Sequence, residues 1–135
     1  MYQRGTIRNR AAKQQIIDFS GIVINGTGTP TDIDGIIEFK DVAFVFMEFK
    51  FGDAEMPFGQ KLALTRLTDA CQKSGKHAVL LVCQHDIANA AEDIDAATAK
   101  VRELYFRGKW YPGERSVKEV IDSFLEFVRG GEYSC

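Results

Sequence analysis

Two charged residues end a strongly apolar stretch in this chain of 135 residues. Residues 42–49 are apolar and mostly β-branched or aromatic, apart from Glu48, and Lys50 follows directly. Such a run predicts a strand that is buried on both faces. Glu48 and Lys50 are two residues apart and therefore project from one face. Because burying a charged pair is costly without partners or a metal, we expect the functional site here.

Acidic residues also precede that run. The segment before it predicts a first strand, on which Asp32 and Asp34 share one face, and Lys40-Asp41 predicts the turn. If the two strands pair as a hairpin, Asp34 and Glu48 converge on one cation. Carboxylate oxygens suit Mg²⁺ or Mn²⁺ better than zinc, and Lys50 beside them would orient a water or contact a phosphate. The alternative is a solvated pair at a strand end, since Glu-x-Lys is a common pattern.

An acid on one strand followed by Glu48-Phe49-Lys50 at the end of the next resembles the PD-(D/E)xK nuclease superfamily, which has the restriction-endonuclease-like fold. The resemblance implies that Asp34, Glu48 and the backbone carbonyl of Phe49 are the metal ligands. It also implies that Lys50 lies at the attacking water. The Pro-Asp dipeptide of the family is replaced here by Pro-Thr-Asp, which ends at Asp32. Asp32 is therefore an alternative first ligand, and we favour Asp34.

A helix is predicted after the second strand. It begins at Pro57, runs to about Lys73 and stops at Gly75. One face holds the set Gln60, Ala63, Leu64, Leu67 and Cys71. Gln60 thus points toward the sheet, and several branches of the nuclease superfamily place a glutamine here that assists catalysis. One branch adds a tyrosine four residues on, where this chain has Leu64. The alternative for Gln60 is that it is a polar residue in the first turn, at the edge of the helix.

The remaining elements complete an α/β pattern. Residues 8–19 predict a first helix, 22–24 a short strand, and the fully apolar run 77–84 a strand after the second helix. A strand–helix–strand crossover between two buried strands predicts a parallel pair in a mixed sheet. The order matches the αβββαβ core of the resembled superfamily. We therefore expect one α/β domain spanning residues 1–135.

A hairpin and a helix are predicted at the C-terminal side. Residues 98–111 predict the hairpin, with Arg107-Gly108 as its turn. Its aromatics either cover the sheet edge or, with the interleaved basic residues, contact nucleic acid. Ser116 and Glu119 predict a capping box that opens the last helix, and Gly130-Gly131 predicts its stop.

Charge and composition limit the classes of partner and the location expected for the protein. The net charge is -2, but the first 14 residues carry four basic residues and no acid, which leaves -6 for the remainder. The four basic residues are Arg4, Arg8, Arg10 and Lys13. They either contact phosphates or solubilise a frayed terminus. No apolar run is long enough to span a membrane, and no signal-peptide pattern is present. Three cysteines without metal-site spacing favour a reduced, cytoplasmic location.

The expected function is that of a Mg²⁺- or Mn²⁺-dependent DNA endonuclease. By analogy it is most similar to small Holliday-junction-resolvase-type nucleases, or to a recombination nuclease of a phage or mobile element. A homodimer is expected, because four hairpin aromatics exceed what the hairpin can bury on its own domain. These aromatics are Tyr105, Phe106, Trp110 and Tyr111. The alternative is a catalytically inert nucleic-acid-binding or assembly protein on the same α/β fold.

Overall fold

The computed structural model describes residues 16–22 and 30–133. The chain divides into two compact units, Met1–Pro30 and Thr31–Cys135. Most of the helix predicted over residues 8–19 lies outside the described residues, as do positions 23 and 24 of the first predicted strand. In the described part of the first unit, residues 16–19 are not helical, and Ser20–Ile22 forms a short 3₁₀ turn. The predicted helix is therefore wrong over residues 16–19, and the predicted strand is wrong at Ile22.

A local hydrogen bond explains why no helix extends through Phe19. The Asp18 carboxylate accepts the backbone N–H of Ser20 at 2.9 Å. This bond also lowers the pKa of Asp18. Aspartate side chains that bond to nearby backbone groups in this way compete with helical hydrogen bonding. The N–H of Ile22 then bonds to the carbonyl of Phe19 at 3.0 Å, which closes the 3₁₀ turn.

The second unit is α/β, as predicted, with a mixed five-stranded sheet and two helices. The strands lie in sequence order across the sheet, and every neighbouring pair is antiparallel except β2 and β3. The strands are β1 (Gly35–Phe39), β2 (Ala43–Phe51), β3 (His77–His85), β4 (Lys100–Phe106) and β5 (Lys109–Pro112). The helices are α1 (Phe58–Lys73) and α2 (Val117–Tyr133).

The predicted hairpin is confirmed, but β1 begins at Gly35, so the prediction that Asp32 and Asp34 lie on the first strand is wrong and both residues precede it. Strands β1 and β2 pair in the register Gly35 to Met47 and Phe39 to Ala43. The turn residues Lys40 and Asp41 both have left-handed φ angles, 48° and 62°. Two consecutive left-handed residues match the twist of an antiparallel hairpin. The register places Asp34, which directly precedes β1, opposite the end of β2.

The crossover from β2 through α1 to the parallel strand β3 is also confirmed. Helix α1 follows Pro57, and Gly75 adopts a φ of 95° just after the helix ends. The buried face of α1 consists of Gln60, Leu64 and Thr68. These residues are four apart and so form one stripe along the helix. The prediction that Ala63 and Leu67 belong to this face is wrong, because both are exposed.

The sheet separates two apolar layers. On one face Phe46, Leu80 and Tyr105 pack with Leu64 of α1. On the other face the alternate strand residues, such as Val45 and Leu81, pack with α2. Because strand side chains alternate between faces, Glu48 and Lys50 belong to the α1 face.

The second predicted hairpin and the capping box are confirmed. Arg107 and Gly108 form the β4–β5 turn with left-handed φ angles of 51° and 80°. The N–H of Ser116 donates to the Glu119 carboxylate at 3.1 Å, and the N–H of Glu119 donates to the Ser116 hydroxyl at 3.2 Å. The predicted stop at Gly130-Gly131 is wrong, since α2 continues to Tyr133. A helix tolerates an internal glycine at a cost of about 1 kcal/mol.

The hairpin aromatics mostly pack on their own protein. Tyr105 is buried, and its ring lies 5.1 Å from that of Trp110. Phe106 contacts Phe124 of α2 edge to face. Three of the four rings therefore make contacts within the protein, with Phe106 and Trp110 half-buried, and Tyr111 is exposed. In the described ranges, neither helix has the length and apolar character of a membrane span.

Candidate active site

The predicted acids and lysine meet at the open end of the β1–β2 hairpin. Asp34 precedes β1, while Glu48 and Lys50 lie near the end of β2. The register pairs Gly35 with Met47, so Asp34 and Glu48 lie opposite each other one residue further along. Both side chains share the α1 face of the sheet. The convergence expected from strand pairing is therefore present.

Two hydrogen bonds join the acids across the hairpin. The N–H of Asp34 donates to Glu48 Oε1 at 3.3 Å, and the N–H of Phe49 donates to Asp34 Oδ2 at 2.8 Å. Asp34 is thus held by the residue between Glu48 and Lys50. In the described part of the chain, Asp34 Oδ1 has no hydrogen-bond donor.

Glu48 is the buried charge at the centre of the site. Its relative exposure is 3%, in a strand that is otherwise apolar except for Lys50. Its Oε2 atom accepts a hydrogen bond from Gln60 Nε2 at 2.7 Å and lies 3.1 Å from Lys50 Nζ. The Glu48 carboxylate therefore has the partners that a buried charge requires.

Gln60 closes the cluster from α1. It is 8% exposed, and its Oε1 atom accepts a hydrogen bond from Lys50 Nζ at 3.2 Å. Its Nε2 atom also donates to the backbone carbonyl of Asp32 at 3.2 Å and to Asp32 Oδ1 at 3.4 Å. The expectation that Gln60 points toward the sheet is confirmed, and its role in catalysis stays a prediction. Gln60 binds Glu48, Lys50 and Asp32 together.

The electrostatics of the cluster act on the pKa of Glu48. Burial raises the pKa of Glu48 above its ordinary value, while the hydrogen bond from Gln60 opposes this effect. The negative charge of Asp34 raises the pKa further, and Lys50 lowers it. A divalent cation between Asp34 and Glu48 would offset both burial and repulsion.

The donor set fits magnesium or manganese. Among residues 16–22 and 30–133, no group of three or more His, Cys, Asp or Glu side chains could hold a metal ion. Mg²⁺ is commonly bound through one or two carboxylates, with waters and substrate phosphates completing its shell. Asp34 and Glu48 supply such a pair. The pair of carboxylates therefore fits a metal ion whose remaining ligands would be waters and substrate phosphates.

Cys83 lies near the carboxylates but does not suit a metal. Its register partner is Phe49, so its side chain belongs to the α2 face of the sheet. Burial, together with the charges of Asp34 and Glu48, raises the pKa of the Cys83 thiol to about 12. The thiol is therefore protonated at neutral pH, whereas metal binding requires the thiolate.

Arg102 supports the site in a way that sequence patterns did not indicate. In the sequence it is one of the basic residues that interleave with the aromatics of the β4–β5 hairpin. Its Nη1 atom donates to the Gly52 carbonyl at 3.4 Å, and Nη2 donates to the Ala54 carbonyl at 2.8 Å. Arg102 thus holds the loop that joins the end of β2 to α1, which connects Lys50 to Gln60. No local signal distinguishes it from an exposed strand cation.

The predicted basic arm, which comprises Arg4, Arg8, Arg10 and Lys13, lies outside the described residues. No family model, no curated protein and no solved structure matches the chain.

Proposed function

We propose that this protein is a Mg²⁺- or Mn²⁺-dependent DNA endonuclease of the PD-(D/E)xK type. One observation carries the proposal: Asp34, Glu48 and Lys50 belong to a single hydrogen-bonded cluster at the end of a buried hairpin. Gln60 joins this cluster from the neighbouring helix. A buried carboxylate, an available carboxylate oxygen and an amine suit metal-assisted hydrolysis of a phosphodiester.

The two acids would hold the metal together with the Phe49 carbonyl. When bound, the metal would polarise the scissile phosphate and lower the pKa of the attacking water. Glu48 is held by Gln60 and Lys50, and Asp34 is held by the N–H of Phe49. Both carboxylates are thus oriented before substrate binds, which reduces the reorganisation needed in the reaction.

Lys50 would act on the water or on the phosphate. An ammonium group carries three N–H donors. Glu48 Oε2 and Gln60 Oε1 engage two of them at 3.1 and 3.2 Å. The third donor would orient the attacking water or stabilise the charge that develops on the phosphate. Gln60 keeps the amine beside the metal ligands.

Binding to DNA would involve surfaces beyond the metal site. The arm that contains Arg4, Arg8 and Arg10 would contact backbone phosphates. A homodimer would place two active sites at a fixed separation, as symmetric cutting of a four-way junction requires. By analogy with small nucleases of the resembled superfamily, a branched recombination intermediate in the cytoplasm is the proposed substrate.

A specific observation also favours the second candidate, an inert nucleic-acid-binding or assembly protein. Glu48 is already satisfied by Gln60 and Lys50 without a metal. A closed network of this kind would be sufficient for a structural role. The two candidates differ in whether a divalent ion binds at Asp34 and whether DNA is cut.

A cleavage assay tests the proposed function. Duplex, single-stranded, flapped and four-way DNA would be incubated with the protein and Mg²⁺, Mn²⁺ or EDTA. We expect cutting of at least one DNA in the presence of metal, and a loss of about 100-fold or more in Lys50→Met. The control is Lys118→Met, which removes an exposed lysine on α2 that pairs with Asp122. Metal binding without cleavage of any DNA would favour the inert protein.

A further inference from the structure

A cavity of about 390 Å³ lies on the face of the sheet opposite the candidate active site. It is formed between the sheet, the segment after β5 and helix α2. Strand residues Val79 and Leu104 line it together with the rings of Phe106, Phe124 and Phe127. Its volume falls within the range of roughly 300–1,000 Å³ that is typical of small-molecule sites.

The aromatic lining is well ordered by its own contacts. The ring of Phe106 meets that of Phe124 at 6.3 Å and that of Phe127 at 5.9 Å, both edge to face. The guanidinium of Arg107 lies over the Phe106 and Phe127 rings at 5.0 and 5.3 Å. Phe127 remains 45% exposed, so the aromatic wall is open to solvent. These rings present apolar area to an incoming molecule without the need for repacking.

Polar groups line a second part of the cavity. Arg115 Nη2 donates to Ser123 Oγ at 2.8 Å and to the Glu119 carbonyl at 3.3 Å, and both Arg115 and Ser123 line the cavity. A guanidinium has five N–H donors, so these two bonds leave others for a ligand. Glu114 also lines the cavity and adds a negative charge. The Glu119 carboxyl, whose pKa Arg115 helps to lower, adds a second negative charge nearby, so a ligand carboxylate would bind Arg115 through its remaining N–H donors rather than through a net positive charge.

We propose that this cavity binds a small amphipathic acid. An apolar body would pack against Phe106, Phe124 and Phe127, and a single carboxylate would bind Arg115. The proposal does not depend on the nuclease function, because the cavity lies on the α2 face and shares no residue with the metal site.

Calorimetric titration of the whole protein tests this site. The probes are naphthalene-2-carboxylate, decanoate and naphthalene-2-carboxamide. We expect saturable binding of at least one of the two acids with a Kd below about 1 mM, and about fivefold weaker binding of the carboxamide than of naphthalene-2-carboxylate. Tighter binding of the naphthalene acid would identify a flat aromatic ligand, and tighter binding of decanoate a flexible chain.

Variants separate the cavity from non-specific binding. Ser123→Trp fills the cavity and should abolish binding, whereas Ser123→Ala keeps the space and should retain it. Arg115→Gln should weaken binding of the acids about fivefold and leave the carboxamide unchanged. The matched control is Arg129→Gln, because Arg129 lies on α2 outside the cavity lining, with its guanidinium over the Phe39 ring at 5.3 Å.

The result of these titrations decides the proposal. Thermal melts of each variant, followed by circular dichroism, confirm that the fold is retained. No saturable binding of either acid to wild type overturns the proposal, as does full binding to a folded Ser123→Trp. Equal affinity for carboxylate and carboxamide in wild type overturns the assignment of Arg115 as the partner of the head group.

Discussion

Asp34 and Glu48 are linked by two hydrogen bonds that cross the open end of the β1–β2 hairpin. The N–H of Asp34 donates to Glu48, and the Asp34 carboxylate accepts the N–H of Phe49, the residue after Glu48. These two bonds fix the separation of the two carboxylates through the hairpin backbone. One oxygen of Asp34 is used for this anchoring, and the other faces no donor in the described part of the chain. A substitution can therefore remove the charge of Asp34 and keep its hydrogen bond to the N–H of Phe49.

The first prediction is that Asp34→Asn abolishes metal binding but preserves the fold. The asparagine carbonyl oxygen can still accept the Phe49 N–H, while its amide group replaces the oxygen proposed to bind the metal. In wild type, Mn²⁺ or Mg²⁺ at 100 times the Kd should raise the free energy of unfolding by about 2.7 kcal/mol. The variant should show no such increase. Thermal melts with and without metal measure this difference.

Asp32→Asn is the matched control for that experiment. Asp32 is the alternative first ligand, and its carboxylate lies 3.4 Å from Gln60 Nε2, while its backbone carbonyl also accepts from Gln60. An asparagine retains both acceptors, so metal-induced stabilisation should persist. Loss of the metal effect in Asp32→Asn but not in Asp34→Asn would reverse the assignment of the first ligand.

The second prediction concerns Gln60. Gln60→Leu removes the donor to Glu48 and an acceptor of Lys50, which leaves both charges less well held. We expect the cleavage rate to fall by about 10- to 100-fold, as is typical when a residue that orients a metal ligand is lost. The free energy of unfolding should fall by about 1–3 kcal/mol. Single-turnover cleavage and urea unfolding measure the two effects.

Thr68→Val provides the comparison for Gln60→Leu. Thr68 lies on the same buried stripe of α1, and its hydroxyl bonds only within the helix, to the Leu64 carbonyl at 2.8 Å. The substitution should lower stability without changing the cleavage rate. If both variants lose the same activity, the effect of Gln60→Leu reflects the stability of α1 rather than the orientation of Lys50.

Parts of this fold could be predicted because their signals are local. The apolar run at 42–49, the proline and glycine that flank α1, and the Ser116–Glu119 capping box each reflect interactions within a few residues. The hairpin and the parallel crossover follow from those elements by general rules of connection. The helix predicted over residues 16–19 also relied on a local signal, the spacing of apolar residues. Another local interaction, the Asp18–Ser20 hydrogen bond, is present there instead.

The hydrogen bonds of the site could not be predicted in the same way. Gln60 contacts Asp32, which is 28 residues away in sequence, and Arg102 contacts the Gly52 and Ala54 carbonyls about 50 residues away. These contacts depend on how α1 lies on the sheet. Periodicity showed that Gln60 faces the sheet, but not that it would bind the acid and the lysine at once.

The third prediction concerns the pH dependence of the capping box. The hydrogen bond from the Ser116 N–H is the main cause that lowers the pKa of Glu119 below its ordinary value. Because the folded-state pKa is depressed, this interaction stabilises the protein above a pH of about 4.5 and is lost as the pH falls through the folded-state pKa. Glu119→Gln should therefore be less stable than wild type at pH 7, and the two should converge at low pH. Urea unfolding across this range measures the difference.

Ser116→Ala separates the two halves of the capping box. It removes the hydroxyl that accepts the Glu119 N–H but keeps the backbone donor to the Glu119 carboxylate. Its cost should be about 1 kcal/mol and should persist at low pH, because no titrating group is removed. A cost of Glu119→Gln that does not change with pH would show that the charge of Glu119 has no stabilising role.

The fourth prediction tests the basic arm. Replacing Arg4, Arg8 and Arg10 by glutamine should weaken DNA binding without changing the rate of bound-state cleavage. If all three contact phosphates of duplex DNA, the slope of log affinity against log salt should decrease by about 2.7, at about 0.9 per contact. Fluorescence anisotropy at several salt concentrations measures the slope. An unchanged slope would assign the arm a solubilising role.

The control for the arm replaces three exposed lysines of the described chain. These are Lys40 in the β1–β2 turn, Lys73 at the end of α1 and Lys118 on α2. They remove the same number of charges from other elements, and we expect the salt slope to remain near the wild-type value. An equal decrease in both triple variants would indicate a general effect of net charge rather than contacts made by the arm.

The last prediction concerns the β4–β5 hairpin and the proposed homodimer. Trp110 packs on Tyr105 at 5.1 Å, and Lys61 Nζ lies 4.4 Å from the centre of its ring. Trp110→Ala should therefore lower the free energy of unfolding, by about 2 kcal/mol or more, through lost packing within the protein. Tyr111, which is 43% exposed, is the hairpin aromatic that remains available to a second copy. Tyr111→Ser should thus weaken self-association with little effect on stability.

Sedimentation equilibrium and thermal melts together distinguish these roles. We expect wild type to be a dimer at micromolar concentration, because symmetric cutting of a branched junction requires two sites related by a two-fold axis. Trp110→Ala should remain dimeric with a lower Tm, and Tyr111→Ser should dissociate more readily with an unchanged Tm. A dimer unaffected by Tyr111→Ser would place the interface elsewhere. A wild-type monomer that still cuts DNA would exclude the junction-resolving role and favour a nuclease that nicks DNA or processes its ends.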